Sequence, residues 1–525
     1  MLFTWPMAPR LGSMGRVDSG DGRWSIWVVA WVAHALSTDP ASAYDANIFY
    51  PERNTLAYSE ANFGAGVLGL PAWIATKNPY AAHNSAVILG FALSVLTMFG
   101  LARRLSGNDG AAMAAAILYA FCPFVFARTA HIQLLMVWGL PLVMLCLHRL
   151  VDRPTLGNAV ALGLSLFATA LSCAYYGILG GLIVGAAVLT FSVTRRLWLK
   201  PSWWARVAVA AVVAVGTALP FFLPYLDHQE QTGFFRPLAE VVRFSANWQA
   251  WLASSAWTHR WMHPYVAGWS EVLFPGFILI GTGLAGMLLV LRKEPATTGS
   301  RTVPRDVVCF YAALAVVIVW LSLGPSAGLY TVFWKIVPIF SFLRAPARFG
   351  IGAVLALAVL ASFALARVGR RSRIVPWAVA GLAALELITG PLVQPTPAPF
   401  SAAYKVLARM PRGAVLELPF FERRMDFHRH TEYMLPSTVH WQRLVNGYSD
   451  YASPTWARRA LTFRQFPAGD SLELALMLNV RYVVLHEHKF SRAELAIVRE
   501  RFAQEGHTLP LIVADAGVEL YEIRR

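Results

Sequence analysis

Ten apolar runs of nearly bilayer-spanning length recur along the chain and leave few folds open to it. They occupy roughly 83–102, 110–127, 132–148, 156–174, 176–193, 207–225, 270–291, 306–323, 347–366 and 374–391. A helix rises about 1.5 Å per residue, so about 20 apolar residues cross a bilayer core. In hydrocarbon every backbone N–H and C=O must be paired, which a helix achieves within its own segment. The runs predict a polytopic α-helical membrane protein with about ten transmembrane (TM) helices. Composition agrees: 57% of residues are hydrophobic and only 14% charged, against about 25% charged in soluble domains. A further apolar stretch, 328–343, is broken by Lys335 and Pro338 and reads as a re-entrant or interfacial piece.

Lys and Arg in the short loops set the orientation, because cytoplasmic loops retain them. One set of loops holds Arg103 and Arg104; Arg149 and Arg153; Arg195, Arg196, Lys200 and Arg206; Arg292, Lys293, Arg301 and Arg305; and Arg367, Arg370, Arg371 and Arg373. The alternate loops hold only Arg128; Arg236, Arg243 and Arg260; and Lys335, Arg344 and Arg348. The first set is assigned to the cytoplasm. Much of the net charge of +16 then serves topology, and nucleic acid is not expected as a partner. The four cysteines, Cys122, Cys146, Cys173 and Cys309, fall inside apolar runs and form neither a disulfide framework nor a CxxC metal site.

Three parts follow. Residues 1–82 combine a short apolar start, "MLFTWPMAP", with an acidic extracytoplasmic loop and interfacial helices; 83–394 form the transmembrane domain; 395–525 form a C-terminal extracytoplasmic α/β domain. Within the first part, "GRWSIWVVAWVAHAL" (22–36) suits a helix lying in the interface. The Trp-rich outside loop 226–269 suits the same surface. In the last part, "GAVLELPF" (413–420) and "VRYVVLHE" (480–487) read as strands, and "LPLIVADAGVELYEI" (509–523) as a hairpin. "SRAELAIVRERFAQEG" (491–506) reads as a helix with a Ser N-cap and Glu494 at the capping-box position.

Candidate chemistry gathers on the outer side. The N-terminal segment offers Asp18, Asp21, Asp39, Asp45, Glu52 and Glu60, carboxylates suited to general-base work or to a divalent cation such as Mg or Mn. No cofactor is fixed by the sequence. Gly20 and Gly22 flank Asp21 and permit close backbone approach. "FLRAPARFG" (342–350) sets Arg344 and Arg348 against the positive-inside bias; guanidinium groups match phosphate oxygens, at a substrate site or equally in ordinary contact with lipid headgroups. "ARTAHIQLL" (127–135) places Arg128 and His131 in a short outside turn, with Tyr175 and Tyr176 in the next. Polar groups at such depth often mark substrate paths, a structural His bonded to a neighbouring loop is an equal reading, and the tyrosine pair reads as an aromatic belt. "DFHRH" (426–430) and "HEH" (486–488) read as exposed surface histidines; a His-x-His pair on a strand points both rings to one face, which suits a metal, but spacing supplies no third ligand.

With this topology, the chain resembles the GT-C class of membrane glycosyltransferases, in particular bacterial members with a C-terminal extracytoplasmic domain. Three places carry the resemblance: "SGDGRWSIWVVAWVAHAL" leading into "DANIFYPERNTLAYSE", the "RAPARF" opening of a late span, and "LELPF" followed by "STVHWQRLVNGYSDY". The resemblance implies a hexosyl- or pentosyltransferase of the bacterial cytoplasmic (inner) membrane. It would take a sugar from a polyprenyl-phosphate carrier and pass it, with inversion, to the hydroxyl of a glycan, lipid or protein acceptor. Asp21 matches the class's catalytic base in the first outside loop, with Asp18 as substitute. Arg344 and Arg348 would bind the lipid phosphate; Arg128, His131, Glu52 and Tyr175 are candidate substrate-binding residues. In this class a complete span precedes the acidic loop, so the short start implies a chain beginning at an internal methionine or a truncated gene.

Two other functions compete: a transporter or flippase of lipid-linked glycans, and a non-enzymatic membrane scaffold. A conduit needs ionisable residues inside the spans. These spans are nearly free of charge, with Glu386 the clear exception.

Overall fold

The computed structural model describes residues 2–233, 235–289 and 304–524. They form two compact units. One comprises Met1–Pro9, Asn62–Ala65 and Ala86–Val393; the other comprises Arg10–Ala61, Gly66–Ser85 and Gln394–Arg525.

In the first unit every apolar run carries a helix: Pro79–Ser106 (from residue 86 onward), Asp109–Ala120, Gly139–Asp152, Leu156–Ser172, Ala174–Thr194, Pro201–Thr232, Phe277–Leu288, Arg305–Ser322, Gly350–Gly369 and Ile374–Glu386. Asp109–Ala120 continues through Pro123–Ala127. Among the described residues six helices are long and apolar enough to cross a membrane. The chain is a polytopic helical membrane protein. Phe277–Leu288 is shorter than its run because Gly276, at φ +100°, precedes its first turn. The last residues of that run, and Arg292, Lys293 and Arg301, lie outside the described residues. The 328–343 stretch forms only the short helix Leu329–Ile336 and a 3-10 turn, Pro338–Phe342.

Burial orders these helices. The apolar window of Pro346–Gly369 is 94% buried, whereas that of Pro201–Thr232 is 6% buried. The former is rich in Gly and Ala, and small residues let helices approach where lipid supplies no hydrophobic drive. Its partner Phe277–Leu288 does the same. A Cβ on Gly286 would sit 2.1 Å from the Leu360 carbonyl oxygen. Pro201–Thr232 instead turns Val212, Val215, Leu219 and Leu223 outward.

Glu386, the exceptional charge, ends the helix Ile374–Glu386. Its carboxylate accepts the N–H of Phe277 at 2.5 Å and of Ile278 at 3.1 Å, and lies 3.1 Å from His259 Nε2. Gly276 has no side chain to cap Phe277–Leu288, so Glu386 supplies the anion that a helix N-terminus favours. His259 Nδ1 is fixed in turn by Ser254 Oγ at 2.7 Å. Glu386 thus has a structural role as the cap of Phe277–Leu288.

The second unit is built on a five-stranded sheet of β1 (Ala414–Leu418), β2 (Arg443–Leu444), β3 (Val480–His486), β4 (Leu511–Asp515) and β5 (Val518–Glu522), in the order β2-β1-β3-β5-β4. The β1 pairings with β2 and β3 are parallel; those of β5 with β3 and β4 are antiparallel. The helix Arg492–Gln504 has the full capping box, Ser491 and Glu494 bonding reciprocally. Helices Pro454–Phe463 and Asp470–Met477 and the edge strand β2 were not evident from sequence pattern.

Most of the N-terminal segment, Arg10–Ala61 and Gly66–Ser85, belongs to this unit. Tyr50 N–H donates to Leu444 O at 2.8 Å, Leu444 N–H to Asn47 O at 2.9 Å, and Phe49 N–H to Asn446 O at 3.0 Å. Residues 47–50 thereby lie alongside β2. The 22–36 stretch is corrected by this arrangement. It lies in the helix Gly20–Thr38, whose Trp24, Trp27, Val28, Val29, Trp31 and Val32 are all buried. An interfacial helix leaves a polar face in water, whereas this one is enclosed on all sides as a core helix. The helix Phe63–Thr76, also unanticipated, packs closely against it; a Cβ on Gly66 would meet Val32 Cγ1 at 2.2 Å.

Candidate active site

Asp21 sits in the first turn of Gly20–Thr38, where Ser19 Oγ caps by accepting the Gly22 N–H at 3.1 Å. The helix dipole favours an ionised carboxylate there. Tyr448 OH donates to Asp21 Oδ1 at 3.0 Å. Arg23, two residues on, donates to Val17 O, to Thr431 Oγ1 at 3.1 Å and to Glu432 at 3.4 Å. Burial raises the Glu432 carboxyl, but its bond to Lys489 and the neighbouring Arg23 outweigh this and hold it below the usual range. The acidic loop is thus bolted to the C-terminal part of its unit.

The two aspartates of the loop differ. Asp18 forms an exposed ion pair with Arg16 at 3.1 Å, whereas Asp21 is held by Tyr448. Glu52 accepts from Tyr58 OH at 2.7 Å and from Ser453 Oγ. Burial, then the Glu52 bond, push the Tyr58 phenol well above its ordinary range. Tyr451 packs edge-on to Tyr58 with ring centroids 5.2 Å apart.

In the helical unit, Tyr175 organises the arginine loop. Its OH accepts the N–H of Arg344 at 2.7 Å and of Ala345 at 3.2 Å, and the Arg348 guanidinium lies 4.6 Å from its ring centre. Arg344 lies 4.9 Å from the Phe244 ring centre. Arg128 is paired with Glu271. Burial, and then the nearby Arg348, pull Arg128 down to about 10. Arg128, Arg348 and Tyr175, which come from three separate segments of the chain, are therefore gathered into one basic cluster. His131 closes the turn after Arg128, its N–H donating to Arg128 O at 2.8 Å. Tyr176 is buried and donates to Leu134 O at 2.9 Å, a structural role.

Pattern reading missed Tyr448, Ser453 and Glu271. Tyr448 lies in the quoted "STVHWQRLVNGYSDY" stretch, but nothing local links it to Asp21, 427 residues away. The metal suggestion for "HEH" does not survive. β3 ends at His486 and His488 falls in the following 3-10 turn, so the two rings do not share a strand face. His486 Nε2 is taken by the buried Glu417 at 2.6 Å. In "DFHRH", His430 spends both ring nitrogens on Phe421 O and Asn446. Among the described residues no group of three or more His, Cys, Asp or Glu is placed to hold a metal ion.

No curated protein matches the sequence. Among solved structures, the chain is similar to arabinofuranosyltransferase AftD from Mycobacteria, at 14% identity over 96% of this chain and 40% of that one, with a TM-score of 0.57. Weaker likenesses are to the Archaeoglobus fulgidus oligosaccharyltransferase (15% identity, 99% and 70% coverage, TM-score 0.43) and to ArnT from Cupriavidus metallidurans (13%, 95% and 93%, TM-score 0.39). The chain spans two fifths of the arabinofuranosyltransferase's length. The likeness to the arabinofuranosyltransferase is one of fold. Residues 42–388 match a family described as a domain of unknown function, DUF6311, which covers well over half of the chain; the protein belongs to that family.

Proposed function

We propose that the protein is a membrane glycosyltransferase that moves a sugar from a polyprenyl-phosphate carrier to an acceptor hydroxyl, with inversion. The observation that carries this reading is a carboxylate, Asp21, held in a helix first turn by Tyr448, in a chain whose fold is that of an arabinofuranosyltransferase. Asp21 takes the proton of the acceptor hydroxyl. The acceptor oxygen attacks the anomeric carbon, the bond to the carrier phosphate breaks, and the polyprenyl phosphate leaves. Arg344 and Arg348 are assigned to the carrier phosphate, whose developing charge they would stabilise. Tyr175 positions that loop through its two backbone N–H bonds. Arg128 and His131 are assigned to the donor, and Glu52 to the acceptor side. The orientation that puts the second unit outside the cytoplasm rests on the Lys/Arg distribution of the loops.

The test is sugar transfer by the purified chain in lipid nanodiscs. A positioned general base contributes about 10²–10⁴-fold, so Asp21→Asn lowers kcat by that factor with expression and melting unchanged. Asp18→Asn leaves kcat within a few-fold. Undiminished transfer by Asp21→Asn removes Asp21 from the mechanism.

A further inference from the structure

A cavity of about 870 Å³ lies wholly within the second unit. Its deeper wall is aromatic. His34 stacks on Trp441, ring centroids 4.4 Å apart and planes 6° from parallel. Trp73 meets Trp441 edge-on at 5.8 Å and His34 edge-on at 6.2 Å. Tyr80 and Phe400 extend the wall. Around it Ser13, Thr38, Thr76, Lys77, Asn78 and Thr396 supply polar groups beside the apolar Pro397, Ala398 and Pro399. Lys77 also lies 5.5 Å from the Trp73 ring centre. No Asp or Glu lines the space. Two groups of the wall, Trp73 Nε1 and Tyr80 OH, are buried with no hydrogen-bond partner among the described residues. His34 is held neutral, down to about 4, by burial and then by Lys77 and Arg412, so its ring keeps one donor and one acceptor.

We propose that this cavity is a saccharide-binding subsite that holds a stretch of the acceptor glycan. Sugars present an apolar C–H face and a ring of hydroxyls. Indole faces match the first, and hydroxyl, amide and ammonium groups match the second. A lipid tail would need no hydroxyl-rich rim. A headgroup phosphate would call for more cations than Lys77 alone. The volume is within the range of small-ligand sites, about 300–1,000 Å³. The class of acceptor named here rests on the glycosyltransferase reading, but the binding itself does not require transfer.

The test measures binding without any donor. The full chain in nanodiscs is screened against a panel of neutral and uronic-acid tri- to hexasaccharides by saturation-transfer NMR and intrinsic tryptophan fluorescence. At least one oligosaccharide binds saturably. Trp441→Ala weakens it tenfold or more, and Trp441→Phe weakens it less. Because Trp441 also packs against Trp31, Thr38→Trp and Thr76→Trp provide a second arm: they fill the exposed mouth, abolish binding and leave the melting temperature in place. In a transfer assay the same rim variants raise the acceptor KM and leave kcat within a few-fold. The proposal is overturned if no saccharide of the panel binds, if binding ignores both sets of variants, or if the rim variants displace only phospholipid. Saccharide binding that persists alongside inactive transfer would sink the catalytic reading and leave this one standing.

Discussion

At the scale of the residue, the two candidate chemistries are held in different ways. Asp21 has a dipole behind it and a phenol in front of it. Arg348 is held by the ring of Tyr175 and lies near the like charge of Arg128. Planar guanidinium stacks on an aromatic face and meets phosphate with two parallel donors, whereas ammonium does neither so well. Arg348→Lys should therefore recover little of what Arg348→Ala loses. Loss of one charge-stabilising donor costs about 10²–10³ in kcat, so both variants should fall near that range in the transfer assay. Full rescue by lysine would show that only net charge matters. Asp21 was singled out by the resemblance of its acidic stretch to the glycosyltransferase class, and it lies in a helix first turn. Its partner Tyr448 was not, since a hydrogen bond across 427 residues leaves no periodic trace.

Elements were legible to the extent that one local rule decided them. Apolar length alone marked all ten helical regions, because each helix pairs its own backbone. The capping box of Ser491 and Glu494 was readable for the same reason. The strand β2 has only two residues and depends on pairing with β1, so no alternation could announce it. Gly20–Thr38 reads as interfacial from its tryptophans, yet it is a core helix, with Ile26 packed on Tyr80 and Leu435, Trp31 on Trp441 and Val32 on Gly66. Glu386 is the clearest case. In sequence it is an anomalous charge in a span; in the fold it caps Phe277–Leu288 from a helix about 110 residues further on. Unsatisfied buried donors cost about 1–3 kcal/mol. Glu386→Ala should lower the melting temperature of the purified chain measurably, and Glu386→Gln, which keeps an acceptor, should lower it less. Equal melting of wild type and Glu386→Ala would refute the capping role.

For the whole molecule, the two units answer to different solvents. The helical unit is built for lipid. The second unit is a sheet domain whose buried histidines make it sensitive to acid. Burial holds His430 down to about 4 and His440 to about 3, from an ordinary 6.5. Both are neutral when folded, and the unfolded chain takes up their protons below pH 6.5. Their contribution is fully present above that value and is lost as pH falls toward 4. Thermal unfolding of this unit should therefore begin at a lower temperature at pH 5 than at pH 7.5. His440→Gln should flatten the dependence; an unchanged slope would assign it to other groups.

The central claim is that a polyprenyl phosphate leaves as a glycosidic bond forms. It is tested most directly by incubating the chain with a polyprenyl-phosphate-sugar pool and acceptor, and following phosphorus-31 and anomeric-proton NMR together. The account predicts one free polyprenyl phosphate for each new glycosidic bond, an anomeric configuration opposite to the donor's, and neither signal with Asp21→Asn. Phosphate release without a new bond, a retained configuration, or equal signals from wild type and Asp21→Asn would contradict it.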